Sequence, residues 1–179
     1  EQPNPTQADF NVDMLEGKRL VSEGKLEEAR AFLRDRTGKY PGNPEAEYWL
    51  GLAHFLGGDL EDAEKIFLIL TDPKSPAHPG LRGHLGEVEL RRSNHYEALR
   101  HLSLALEDDP DDTIALMAMG NCLLEVGRPG EAAERFEDTM WKGVAYYRAG
   151  DWESAILQFA RVDTAEGWFN LGNAYAQTG

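Results

Sequence analysis

The sequence predicts an all-α protein built as a stack of antiparallel helix hairpins. Apolar residues recur at helical spacing, as in Leu26, Ala29, Phe32 and Leu33, which fall on one stripe. A two-helix template is plainest at residues 143–159, G-V-A-Y-Y-R-A-G-D-W-E-S-A-I-L-Q-F. There Gly143, Tyr146 and Tyr147 lie on a first helical segment, Gly150-Asp151 breaks it, and Ala155 and Phe159 lie on a second. The template also repeats in register. Its second-helix alanines are Ala29, Ala63, Ala98, Ala132 and Ala155, advancing by 34, 35, 34 and then 23 residues. Four positions after them stand Leu33, Phe67, Leu102, Phe136 and Phe159. Five before stand Gly24, Gly58, Ser93, Gly127 and Gly150, and twelve before stand Gly17, Gly51, Gly86, Gly120 and Gly143. A fixed period of this size means that each hairpin buries one side on its neighbours.

The units follow in order. The first covers residues 8–42, with Met14, Leu15, Leu20 and Val21 facing inward on its first helix and a turn at Gly24-Lys25. Pro3 and Pro5 make the stretch before it loose. The second, 43–76, opens at Pro44, a favoured first helical residue, and carries Tyr48, Trp49, Leu52 and Phe55, then Ala63, Ile66, Phe67 and Leu70. Three prolines in T-D-P-K-S-P-A-H-P-G make residues 71–80 a loop. The third, 77–110, sets Leu81, Leu85, Val88 and Leu90 ahead of Leu99, Leu102, Leu104 and Leu106. Its turn has Ser93-Asn94 for the usual glycine, and Asn94 is expected to take the left-handed conformation. The fourth, 111–139, has Ile114, Leu116, Met117, Met119, Leu123 and Leu124, then Ala132, Ala133 and Phe136. The fifth, 140–163, is contracted, and the sixth, 164–179, is incomplete, with Asp163 or Thr164 capping a helix that carries Trp168, Phe169, Leu171 and Tyr175. The expectation is one array over residues 1–179 of about five and a half units.

Composition narrows the function. With 18 Lys and Arg against 32 Asp and Glu, the net charge is −14. That argues against the basic face needed to neutralise phosphate, so no nucleic-acid partner is expected, nor an anionic lipid surface. It permits basic partners and keeps an extended array soluble. The one cysteine, Cys122, rules out an internal disulfide framework and reads as a small buried hydrophobe. No apolar run reaches the ~20 residues of a membrane span. No signal peptide stands in the sequence, although a mature chain starting at Glu1 is compatible with one already removed.

These units resemble tetratricopeptide repeats. The pattern runs from near Asp13 to the last residue, and its closing proline is matched at Pro41 and Pro110. The resemblance implies a right-handed superhelical stack, a solenoid whose first helices line a concave groove. By the family's register the groove residues are Tyr48, Leu52 and Phe55 in the second unit, and Met117, Asn121 and Leu124 in the fourth. Val144, Tyr147, Phe169 and Asn173 continue it in the fifth and sixth, with part of this set expected to pack between helices instead. Some members grip a chaperone's C-terminal carboxylate with a Lys four residues before such an Asn. Here Met117 and Phe169 occupy that position, which implies a groove for apolar side chains. Residues 136–176 are also similar to the repeat region of bacterial aerotolerance-type proteins that join such repeats to a von Willebrand factor A domain. The M-W-K-G-V-A-Y-Y-R-A-G-D and R-V-D-T-A-E…N-L-G-N-A runs carry that likeness. It implies a bacterial setting, periplasmic or envelope-associated rather than cytoplasmic.

No chemistry competes with this reading. His54, His78, His84, His95 and His101 form no metal-ligand spacing, and no paired cysteines, nucleophile elbow or phosphate loop occurs. The acidic run from Glu107 to Asp112 lacks the glycine and distant glutamate of a calcium loop, and serves as a linker that supplies helix-start charge. The expected protein is a non-catalytic scaffold without cofactor or metal, binding a protein or peptide segment in its groove. Trp168, Phe169, Leu171 and Tyr175 lie on a final helix that lacks a covering second helix. Either further residues or another chain covers it, and the alternative function is a homo-oligomer that polymerises there.

Overall fold

The computed structural model describes residues 6–72 and 78–179. The expected loose stretch before residue 6 and the middle of the proline loop lie outside the described residues. Among those described there are eleven α-helices and no strand. They are α1 (Gln7–Ser22), α2 (Leu26–Lys39), α3 (Pro44–Leu56), α4 (Leu60–Leu70), α5 (Leu81–Arg91), α6 (His95–Asp108), α7 (Thr113–Glu125), α8 (Pro129–Arg135), α9 (Thr139–Ala149), α10 (Trp152–Phe159) and α11 (Ala165–Thr178). They form two compact units, Glu1–Arg92 and Ser93–Gly179.

In the unit Glu1–Arg92, the hairpins α1/α2 and α3/α4 are joined by the same device. A first-helix glycine makes a notch, and the residue four after the second-helix alanine fills it. A Cβ on Gly17 would stand 2.6 Å from Leu33, and one on Gly51 would stand 2.6 Å from the Phe67 ring. Ala29, Leu33, Ala63 and Phe67 are fully buried as a result. Each large knob removed from water contributes on the order of 1.5–3 kcal/mol. Local signals set the helix ends. Thr6 and Asp9 make a capping box on α1. Asn43 accepts from the Glu45 and Ala46 amides, and Pro44 opens α3 as the sequence predicts. Asp13 on α1 takes hydrogen bonds from Lys39 Nζ (2.8 Å) and the Tyr40 hydroxyl (2.6 Å), pinning the end of α2. Burial alone would raise the Asp13 carboxyl, but these hydrogen bonds and the charges of Arg36 and Lys39 outweigh it and hold it below the usual range.

In the unit Ser93–Gly179, Gly120 receives Phe136 and Gly143 receives Phe159, again with a virtual Cβ 2.6 Å from the ring. Asp112 caps α7, Asp138 caps α9 and Thr164 caps α11. The shortened step has a local cause. Helix α8 lasts seven residues, Phe136 then turns to extended backbone, and Asp138 already caps α9. The second helix is cut and the linker is gone, so the repeat closes in fewer residues without losing its glycine notch. Cys122 is buried, as its apolar surroundings predict, and burial raises its thiol to about 11, which keeps it protonated at neutral pH.

Two sequence expectations are corrected. Leu15, read as inward-facing, is 71% exposed, because its place two residues before Gly17 puts it on the outer face of α1. At the glycine-less turn Ser93, not Asn94, takes the left-handed backbone (φ 62°), while Asn94 has φ −87°. The template required this, since Gly24, Gly58, Gly127 and Gly150 all have positive φ at the position Ser93 fills.

Candidate functional site

The glycine register fixes where first-helix side chains stand. Residues one after the glycine are Leu52, Asn121, Val144 and Asn173, and those three before it are Tyr48, Met117, Met140 and Phe169. The two units treat these positions differently.

In the unit Glu1–Arg92 the expected groove residues are interior, and belong to the part of the set expected to pack between helices. Tyr48, Leu52 and Phe55 are buried. The Tyr48 ring stacks on His78 with centroids 3.6 Å apart, and the Arg91 guanidinium lies 4.0 Å over the Phe55 ring. The chain covers its own wall here. Burial pushes the His78 imidazole below the ordinary 6.5, and burial does the same to His54. His54 backs an open polar depression lined by Glu27, Arg30, Arg34, Asp59 and Asp62. Within it Arg30 pairs with both Glu27 and Asp59.

In the unit Ser93–Gly179 the same register positions stay accessible. Met117, Asn121, Leu124, Val144, Tyr147 and Asn173 are half-buried, and Phe169 is 69% exposed. Tyr147 is held edge-on by Trp152, with centroids 4.9 Å apart. Asn170 of α11 donates to the Met140 sulfur of α9 at 3.5 Å, which sets these two first helices side by side. The carboxamides of Asn121 and Asn173 make no hydrogen bond to another described residue, although both are partly withdrawn from water. The surface therefore offers apolar side chains with two uncommitted donor–acceptor groups at one register position. Among the described residues no group of His, Cys, Asp or Glu could hold a metal ion. No helix of the described residues is long and apolar enough to cross a membrane.

The tetratricopeptide repeat profile matches residues 14–79 and 84–139. The chain belongs to the tetratricopeptide repeat family. No curated protein matches its sequence. Among solved structures it is similar to a thermophilic tetratricopeptide repeat protein of Thermus thermophilus, at 18% identity over 93% of this chain and 98% of that one, with a TM-score of 0.70. PilF of Pseudomonas aeruginosa shares 15% identity over 94% of this chain and 85% of its own, with a TM-score of 0.75. YrrB, described as having an unusual peptide-binding site, shares 21% over 93% and 88%, with a TM-score of 0.61. At these identities the likeness shows the fold.

Tetratricopeptide repeat register also exposes what sequence reading missed. Met140 shares the offset of Met117 and Phe169 and is half-buried like Met117, so the register alone was a sufficient signal. The covering of Tyr48 by His78 and of Phe55 by Arg91 had no such signal, because neither cover belongs to the repeat template.

Proposed function

We propose that this tetratricopeptide repeat protein is a scaffold that binds a segment of a partner protein along the first helices of the unit Ser93–Gly179. The observation that carries this is the pair Asn121 and Asn173, half-buried carboxamides without a hydrogen-bond partner among the described residues. Groups of this kind suit the main chain of an extended segment, while Met117, Leu124, Val144, Tyr147 and Phe169 suit its apolar side chains. Rigid helices lower the ordering cost on one side of the interface. The net charge of −14 favours a basic partner and speeds its encounter at low salt. The setting proposed is bacterial and envelope-associated, supported by the likeness of residues 136–176 described above.

The test begins with affinity capture on the immobilised chain and identification of the retained protein by mass spectrometry. Tyr147→Ala and Asn173→Ala are then titrated against that partner, and each weakens binding by about 1–2 kcal/mol with far-UV circular dichroism unchanged. Unaltered affinity in both contradicts the reading. Exposure of Trp168 and Tyr175 favours a second reading, self-association through α11. Mass photometry across concentrations separates the two, since only self-association raises the mass without a partner.

A further inference from the structure

The link between α4 and α5, residues 71–80, is the longest between hairpins, at ten residues against four in 40–43 and in 109–112. Its described end lies on a first helix. The His78 ring stacks on Tyr48 of α3, with centroids 3.6 Å and planes 18° apart. Gly80 follows with φ 77°, so close that a Cβ on it would stand 3.6 Å from the Tyr48 hydroxyl. Met117 and Met140 share the register of Tyr48. They are followed by links of three and five residues, and they stay half-buried. The stack is what holds the His78 side chain. Its Nδ1–H donates to the carbonyl of Pro79, the next residue, at 2.8 Å, and the ring makes no hydrogen bond to a helix of the described residues. Beside this face stands the Trp49 ring, edge-on to Tyr48 with centroids 5.9 Å apart. The Lys18–Glu45 ion pair, at 2.6 Å, borders it, with Lys18 Nζ 5.4 Å over the Trp49 ring.

We infer that the Tyr48 face is a second docking position, for a partner segment that carries a flat ring followed by proline, and that His78-Pro79-Gly80 fills it from within the chain until such a segment displaces it. The chemistry of the occupant is read from the residues seated there. A ring stack needs no directional hydrogen bond, so a ring of like size from another chain satisfies it equally. Proline after the ring confines the ring residue to extended backbone, which lays the segment along the helix wall. The internal occupant is tethered by the chain on both sides and competes at high effective concentration. A partner therefore gains access only by adding contacts beyond the ring. This position is distinct from the Asn121 and Asn173 surface, and each can fail without the other.

The probe is the blocked tripeptide acetyl-His-Pro-Gly-amide, titrated into the full chain and into His78→Ala. The reporter is the indole N–H resonance of Trp49, assigned by its loss in Trp49→Phe. His78→Ala keeps the circular dichroism of the wild type, because residue 78 lies outside every helix. In that variant the tripeptide shifts the Trp49 resonance saturably, at a concentration at least tenfold lower than in the wild type, where the internal ring competes. Acetyl-Ala-Pro-Gly-amide, which lacks the ring, acts at least tenfold more weakly. Equal response of variant and wild type overturns the inference, as does the absence of a saturable shift in the variant. Equal action of the two tripeptides overturns it by removing the ring from recognition. Association of His78→Ala chains without peptide also overturns it, by placing a second copy on the bared ring.

Discussion

Each repeat is specified by a few side chains whose roles can be separated by substitution. Gly143 and Gly172 hold equivalent places, but only Gly143 is filled, by Phe159. Gly143→Ala therefore forces the Phe159 ring to move and costs about 1–3 kcal/mol, whereas Gly172→Ala stabilises by up to about 1 kcal/mol. Thermal melts of the two variants move in opposite directions, and equal shifts would refute the notch. Ser93 shows the reverse case, an L-residue held at φ 62° where the other turns use glycine. Ser93→Gly removes a strain of about 1 kcal/mol and raises the melting temperature. His54 and His78 give the acid response of their unit. Burial lowers both below 6.5, so between that value and their folded values the unfolded chain binds more protons than the folded one. Stability falls as pH drops below about 6.5 and levels off once both rings are charged in the folded state. His54→Gln with His78→Gln flattens the slope of melting temperature between pH 7.5 and 5.5, and an unchanged slope would assign it elsewhere.

At the scale of the helix, the sequence was most legible where a signal is local. Proline at the start of α3, Thr164 before α11 and the alanine–knob pairs each act within one turn of chain, and the structure has them in place. Thr164→Ala removes the acceptor for the Gly167 amide, 3.1 Å away, and costs about 1 kcal/mol by chemical denaturation. Legibility ended where burial depends on chain far from the helix. Tyr48, Leu52 and Phe55 share the register of Met117, Asn121 and Leu124, and sequence reading assigned both sets to one groove. What divides them is His78 on Tyr48 and Arg91 on Phe55, contacts made across 30 and 36 positions that no period encodes. Tyr48→Ala accordingly acts on stability, losing about 3 kcal/mol, and a melt matching the wild type would place Tyr48 outside the core. Leu15 carries a similar lesson, since an apolar residue beside the stripe reads like one on it until the glycine register is applied.

For the whole molecule, the repeat template explains the helices and its lapses mark the surfaces on which function is proposed. Filled notches hold the two helices of a hairpin together. The accessible first-helix faces of α7, α9 and α11 are what the template leaves over. The central claim is that Asn121 and Asn173, one register position on two helices, engage the partner. The most direct test is calorimetric titration of the captured partner into the wild-type chain and into the double variant Asn121→Ala/Asn173→Ala. A fall in affinity of tenfold or more, with the same circular dichroism spectrum and melting temperature, is the predicted result. Wild-type affinity in the double variant would contradict it.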